Sequence, residues 1–168
     1  MTLQVDSYRY LDKLSKQMVT TWIRQETPRA IPWTPLTKPL SECTVALISS
    51  GGIALKTQPP FDQEKERRNP WWGDPSYRLI PRTTTAVDIR VYHLHINPAF
   101  AEEDLNCLLP LERLLELEQS REIGRSAPSH YSIMGYILQP DVLLAESTPA
   151  IIHQLQEEAV DAVVLVPT

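Results

Sequence analysis

Apolar residues recur at three- and four-residue steps through residues 6–25, placing Tyr8, Leu11, Leu14, Met18 and Trp22 on one face. The spacing predicts an N-terminal helix with Asp6 as its cap. The pattern breaks over residues 28–40, where Pro28, Pro32, Pro35 and Pro39 come too densely for a helix or a central strand. An extended segment is expected there, with Trp33 tucked against the core. Residues 44–48 (TVALI) form a short β-branched run that ends at Ser49-Ser50-Gly51-Gly52 and reads as a buried strand entering a turn. Residues 87–95 (VDIRVYHLH) alternate like a strand, and residues 129–134 suggest a third short one before Gly135. Two helices are predicted further on. Residues 111–118 follow Pro110, a residue suited to a first helical turn. Residues 149–158 carry Ile151, Ile152 and Leu155 on an inward face, with Thr148 as the cap. Residues 160–166 (VDAVVLV) then read as a second, fully buried strand.

Strands separated by loops and helices predict an α/β fold with an open, mostly parallel sheet and flanking helices. The division expected is an N-terminal helix and proline-rich linker over residues 1–40, then an α/β domain over residues 41–168. The runs at 44–48 and 160–166 are expected in one sheet with their carboxyl ends on the same side, where open α/β sheets bind ligands. A covering helix normally follows such a strand, and only Pro167-Thr168 follow here, so the sheet reads as incomplete at its C-terminal end.

Composition narrows the classes. With 42% apolar and 22% charged residues, the 168-residue chain can bury an ordinary globular core. A net charge of −5 excludes a dedicated nucleic-acid binder, which needs a basic face to displace counterions from phosphate. The two cysteines, Cys43 and Cys107, have neither CxxC nor metal-ligand spacing, so reduced thiols and a cytoplasmic setting are expected. No basic segment followed by an apolar run opens the sequence, and no apolar stretch is long enough to span a bilayer. Fifteen prolines against five glycines indicate long, ordered connections.

Several positions are candidates for chemistry, each with a plainer reading beside it. Gly51 and Gly52 follow a strand, where backbone N–H groups can approach a phosphate or carboxylate, or where a tight turn simply needs glycine. Neither nucleotide-binding glycine pattern is present. Asp74 and Arg78, in Gly73-Asp74-Pro75-Ser76-Tyr77-Arg78, can orient the amino and carboxyl groups of a substrate or brace a long loop as an ion pair. His93 and His95 would share one face of a strand, and with His130 they are read as pocket-lining groups; no third ligand follows from the spacing, so no metal is assigned. Asp104-Leu105-Asn106 reads as the capped entry to the 111–118 helix. Lys65, Arg67 and Arg68 read as a solvated basic cluster. Cys43 and Cys107 lie in apolar settings and read as inert, buried thiols.

Taken in order, several segments resemble the B-type, substrate-specific subunits of glycine, sarcosine and betaine reductase and the related D-proline reductase subunit. They are Lys38-Pro39-Leu40 with residues 45–52, Pro60-Phe61-Asp62, residues 73–81, the His93-Leu94-His95 triplet, Asp104-Leu105-Asn106, residues 110–113, Glu122-Ile123-Gly124, His130-Tyr131, Met134-Gly135 and residues 160–168. The resemblance implies an oxidoreductase that cleaves a C–N bond of an amino acid or betaine-like substrate reductively. A dithiol/disulfide couple would be the electron partner. It further implies a partner reductase subunit or thiol donor protein and a possible homo-oligomer; no cofactor is expected, and the residue spacing gives no reason to expect a metal. In that family the strand ending like residues 164–168 leads at once into a selenocysteine or cysteine, so the chain is expected to be the front portion of a longer selenoprotein. No catalytic residue is assigned within it, and Gly51, Gly52, Asp74, Arg78, His93, His95 and His130 are the expected substrate-binding groups. The alternative is a non-catalytic binding domain that naturally ends at residue 168. On either reading, no nucleic acid or membrane is the partner.

Overall fold

The computed structural model describes residues 8–25, 30, 34–69 and 71–168, and the expectations for Asp6 and Trp33 fall outside them. The chain divides into two units, Met1–Pro35 and Leu36–Thr168. The first contains helix α1 (Lys13–Gln25). Asp12 caps it, its carboxylate accepting the N–H groups of Leu14 at 2.9 Å and Ser15 at 3.0 Å.

The second unit is built on a five-stranded sheet centred on β1 (Thr44–Ser49), which is buried along almost its whole length. In chain order there follow β2 (Ile53–Leu55), α2 (Gln63–Arg68), β3 (Tyr77–Pro81), β4 (Ile89–Val91) and α3 (Ala99–Glu103). Next come α4 (Leu111–Gln119), β5 (Arg125–Ser126), β6 (Ser129–Ile133), α5 (Thr148–Glu157) and β7 (Ala162–Val166). Strand β7 runs parallel to β1 over five paired positions, from Val45↔Ala162 to Ser49↔Val166. The two apolar runs therefore share a sheet with their carboxyl ends together, as expected. Val45 pairs with Ser126 on its other side and Ile48 with Tyr131, so β5 and β6 successively occupy the opposite edge of β1. Strand β3 closes that side, antiparallel to β6. The fold is mixed α/β with a mostly parallel sheet, as the sequence predicts.

Side chains alternate across β1, so Cys43, Val45 and Leu47 enter one core with Ile80, Leu105, Leu108, Leu109, Leu111, Leu114 and Ile123. Helix α4 supplies Leu111 and Leu114 to it. Its start is held by Asn106, whose side-chain oxygen accepts the N–H groups of Glu112 and Arg113, while Asp104 accepts the N–H of Asn106. A smaller cluster of Ala54, Phe61 and Met134 lies by the turn that follows β1.

Four expectations need correction. Strand β7 is not fully buried: Leu165 is 71% exposed, with Val163 and Val164 also open. It is an edge strand, pairing only with β1 among the described residues. The run at 87–95 keeps strand geometry only at Ile89–Val91, paired antiparallel with β2 in a separate two-stranded sheet, and both histidines lie beyond it in a turn. Thr148 is not the cap of α5, because a π-helical turn (Leu143–Ser147) leads straight into that helix and Ser147 donates instead to the carbonyl of Pro75. In α5 only Ile151 is buried, and Ile152 is exposed. No described helix is long and apolar enough to cross a membrane.

Candidate functional site

The site begins where β1 and β7 run out together. Ser50 donates its N–H to the carbonyl of Val166 at 3.1 Å, and Thr168 donates its N–H to the Ser50 hydroxyl at 2.9 Å. The chain then reverses through Gly52, whose φ of +61° is a left-handed conformation that favours glycine. The N–H of Gly51 goes to Ser49 Oγ at 3.0 Å and that of Gly52 to the carbonyl of Ile133 at 2.9 Å. Both donors of the turn are thus engaged within the protein, which gives its glycines a structural reason. Gly135 packs against the same turn. A Cβ there would sit 2.6 Å from His93 Nε2 and 2.9 Å from the carbonyl oxygen of Ser50, so only glycine lets these groups approach.

His93 follows the end of β4 and is buried. Its Nδ1 accepts the N–H of His95 at 3.2 Å, which assigns the ring proton to Nε2, the nitrogen facing Gly135. Burial, and then the neighbouring His95, hold its pKa below the usual histidine range. His95 is half exposed. Its ring lies 4.6 Å from that of Tyr136, and its Nε2 is 3.6 Å from Glu66 Oε1.

Glu66 is the functional candidate that sequence reasoning missed. It lies in α2, in the segment Gln-Glu-Lys-Glu-Arg-Arg, which reads as a solvated helix. The short helix nevertheless turns Glu66 inward until only 3% of the residue is exposed. Neither carboxylate oxygen has a hydrogen-bond partner among the described residues. Burial raises its pKa, and Asp74 adds to the rise, while His95 and Arg67 act in the opposite direction. Glu66, Arg67, Leu94, His95 and Tyr136 line a cavity of about 170 Å³. A larger groove of about 420 Å³ runs past Thr84, Asp104, Asn106 and Arg113, but it holds no comparable buried, unpartnered group. A perturbed carboxyl in a cleft beside the strand ends is the stronger functional signal.

The other expected residues lie apart from this cluster. Asp74 is buried and spent on the backbone: it accepts the N–H of Asp62 at 2.8 Å and those of Ser76, main chain and hydroxyl. Arg78 donates to the carbonyls of Pro59 and Pro60 and lies 4.1 Å over the ring of Phe61. The two are joined through the Ser76 hydroxyl, with no direct ion pair between them, and they brace the loop that leads into α2. His130 is fully buried in β6, its Nδ1 accepting the N–H of Leu47 at 3.0 Å and its Nε2 lying 3.1 Å from Ser126 Oγ. The expected set therefore separates into Gly51, Gly52, His93 and His95 at the strand ends, Asp74 and Arg78 in a braced loop, and His130 inside the sheet. Cys107 is exposed, contrary to expectation, whereas Cys43 is buried. Among the described residues, no three His, Cys, Asp or Glu side chains are grouped so as to hold a metal ion.

Comparison with known proteins places the sequence in a family. The family model described as glycine/sarcosine/betaine reductase selenoprotein B matches residues 8–168. The D-proline reductase subunit gamma of Acetoanaerobium sticklandii is 33% identical over 133 residues, which is 79% of this chain and 52% of that protein. The glycine reductase complex component B subunit gamma of Carboxydothermus hydrogenoformans is 28% identical, over 93% of this chain and 35% of its own length. The betaine reductase complex component B subunit beta of Peptoclostridium acidaminophilum is 27% identical, over 96% and 37% respectively. The chain thus spans about half or less of the length of these curated relatives. No solved structure matches it. The match over residues 8–168, with a relative 33% identical over 79% of the chain, shows that the chain belongs to the glycine/sarcosine/betaine reductase selenoprotein B family.

Proposed function

We propose that this chain forms the substrate-facing part of a reductase subunit that cleaves the C–N bond of an amino acid or betaine-like substrate. The names of its relatives, subunits of proline, glycine and betaine reductases, favour that reaction class. The observation that carries the reading is the bond from Thr168 N–H to Ser50 Oγ, which holds the residues after β7 against the turn formed by Ser50, Gly51 and Gly52. In this reading a selenolate or thiolate supplied from outside the 168 residues attacks the carbon bearing the amine. A selenium– or sulfur–carbon bond forms as the C–N bond breaks, and the amine departs with the bonding pair. A dithiol then supplies two electrons and two protons and becomes a disulfide; one proton goes to carbon and the other to the released selenolate or thiolate. Neither cysteine of the chain suits the first role. Cys43 is sealed in the core, and partial burial followed by the carboxylate of Asp104 pushes the Cys107 thiol up.

The test is an assay with a dithiol donor and glycine, sarcosine, betaine or D-proline. It compares the 168-residue chain with a version extended to the length of its relatives, carrying selenocysteine or cysteine after Thr168. Turnover is expected only in the extended protein. Comparable turnover by the shorter chain, abolished by Cys43→Ser or Cys107→Ser, would overturn the assignment.

A further inference from the structure

Strand β7 has the composition of one position in a sheet and the location of another. Its residues, Ala162-Val163-Val164-Leu165-Val166, are all apolar, the run expected of a strand buried on both faces between parallel neighbours. It lies instead at an edge: all five positions pair with β1, and no other strand joins it among the described residues. The register assigns its two faces. Val164 lies on the side of Val45 and Leu47, whose side chains enter the main core, while Val163 and Leu165 lie on the side of Ala46 and Ile48. Both faces are open, with Val163 38%, Val164 46% and Leu165 71% exposed.

An edge strand offers unpaired N–H and C=O groups to any other strand, and native proteins guard it with charge, proline, a bulge or brevity. The opposite edge of this sheet is guarded in that way. Strand β3 contains Arg78 and Pro81, and Arg78 ties the carbonyls of Pro59 and Pro60 against it. Strand β7 has no such protection. Its register is unbroken by a bulge, and Pro167 stands only after the last paired position. The adjacent charge, Asp161, is turned to β1, where it accepts the N–H of Thr44 at 2.7 Å and meets Lys38 at 2.8 Å.

Two occupants fit such an edge. A second copy would pair β7 with β7 antiparallel about a two-fold axis. Five residues make an edge only about 17 Å long, small against the ~800 Å² per partner that a stable interface buries. A strand of the same polypeptide needs only a crossover of about a dozen residues or more, usually helical. The relatives have that length to spare, since the matched region covers 52% of the D-proline reductase subunit and 35% and 37% of the glycine and betaine reductase subunits. Handedness then places the helix. Helix α4, on the way from β1 to β5, packs on the Val45–Leu47 side. A right-handed crossover leaving β7 outward runs in the opposite direction and lies on the opposite face. That is the face of Leu165, the most exposed residue of the strand.

We propose that the free edge of β7 is a docking surface for the polypeptide that makes up the rest of its relatives' length. That polypeptide adds a parallel strand along β7, and its connecting helix covers Val163 and Leu165. The assignment uses the extended protein of the reductase reading but none of its chemistry.

The experiment compares amide hydrogen exchange over residues 162–166 in the 168-residue chain and in the protein extended to the length of its relatives. The β7 amides that point away from β1 should exchange at least about a hundredfold more slowly in the extended protein. Leu165→Lys is the discriminating substitution. In the 168-residue chain that side chain is open to water, so the denaturation midpoint should not move; in the extended protein the added protection should disappear. Leu165→Thr keeps a β-branched residue in the strand and should remove most of the protection if the lysine variant fails to fold. Equal exchange at β7 in the two proteins, or Leu165→Lys tolerated equally in both, would sink the proposal. Slow exchange in the 168-residue chain that is lost on dilution would also overturn it, by giving the edge to a second copy. The two readings fail separately. Protection of β7 without turnover leaves this surface standing and removes the reductase reading; turnover with β7 unprotected does the reverse.

Discussion

His130 Nδ1 accepts the N–H of Leu47 at 3.0 Å, so a side chain fills a rung of the ladder between β1 and its neighbour. The cause is the step between β5 and β6. Ala127-Pro128 intervenes there, and the Pro128 carbonyl accepts the N–H of Arg82 at 3.0 Å, while the N–H of Leu47 goes to the imidazole. Because Nδ1 is the acceptor, the proton resides on Nε2, which can donate to Ser126 Oγ at 3.1 Å. Protonating the ring would place a second N–H against that of Leu47. Burial, followed by the charge of Arg82, lowers the His130 pKa from 6.5 to about 4.

A pH dependence of stability follows. The unfolded chain takes up this proton as pH falls through 6.5, whereas the folded chain resists until about 4, so folding loses stability on acidification through that window. The loss is about 3 kcal/mol at the low end. His93 acts in the same direction and Glu66, with its raised pKa, in the opposite one. Denaturant unfolding at closely spaced pH values should show the fall, and His130→Gln should flatten most of it. An unchanged slope in that variant would mean that another group is responsible.

Asp74 offers a test of bracing against ligand binding. Its three accepted hydrogen bonds tie Asp62, the cap of α2, to the loop at Ser76. Asp74→Ala leaves those donors without their acceptor and should cost about 2–3 kcal/mol in unfolding free energy, whether or not a ligand is present. Hydrogen exchange should also quicken in α2. Full retention of stability would return Asp74 to the list of groups held ready for a substrate.

How much of this could be read in the sequence depends on which forces are local. Strands β1 and β7 were legible because each is a β-branched run, the first stopping before Gly51-Gly52 and the second at Pro167, and α4 because Pro110, Leu111 and Leu114 match the period of a helix. The exposure of β7 was not, since an apolar run carries no information about what lies across the sheet. The two histidines looked like strand residues because His-Leu-His alternates. The ladder stops earlier, however: Tyr92 donates to the carbonyl of Gly52, the left-handed residue where β2 begins, and His93 Nδ1 then closes a turn. Glu66 was hidden by its surroundings. A carboxylate among Lys65, Arg67 and Arg68 looks solvated, and only the packing of α2 turns it inward.

Gly135 tests the approach of the strand ends to His93. Gly135→Ala would place a methyl group 2.6 Å from His93 Nε2 and 2.9 Å from the Ser50 carbonyl oxygen. One of them must move, and overpacking of this kind costs about 1–3 kcal/mol. The His93 ring resonances should shift while those of His130, in the interior of the sheet, stay in place. Wild-type stability with an unmoved His93 would show that the contact is looser than described.

The two thiols should differ sharply toward a disulfide reagent such as Ellman's. Cys43 has no exposed surface, and its Sγ lies 3.4 Å from the carbonyl oxygen of Pro39, so its labelling requires unfolding. Cys107 is exposed and should react in the native chain, accounting for one thiol before denaturant and two after. Access and activation are separate properties, however. Partial burial and the nearby carboxylate of Asp104 both disfavour the Cys107 thiolate, which is the reacting form. Its rate constant at neutral pH should therefore fall below that of a small free thiol, and Asp104→Asn should raise it while leaving Cys43 silent. Cys107→Ser should remove the native reaction altogether. A rate above that of the free thiol would mark Cys107 as activated and make it a candidate nucleophile within these residues, against the reading that the nucleophile is supplied from outside them.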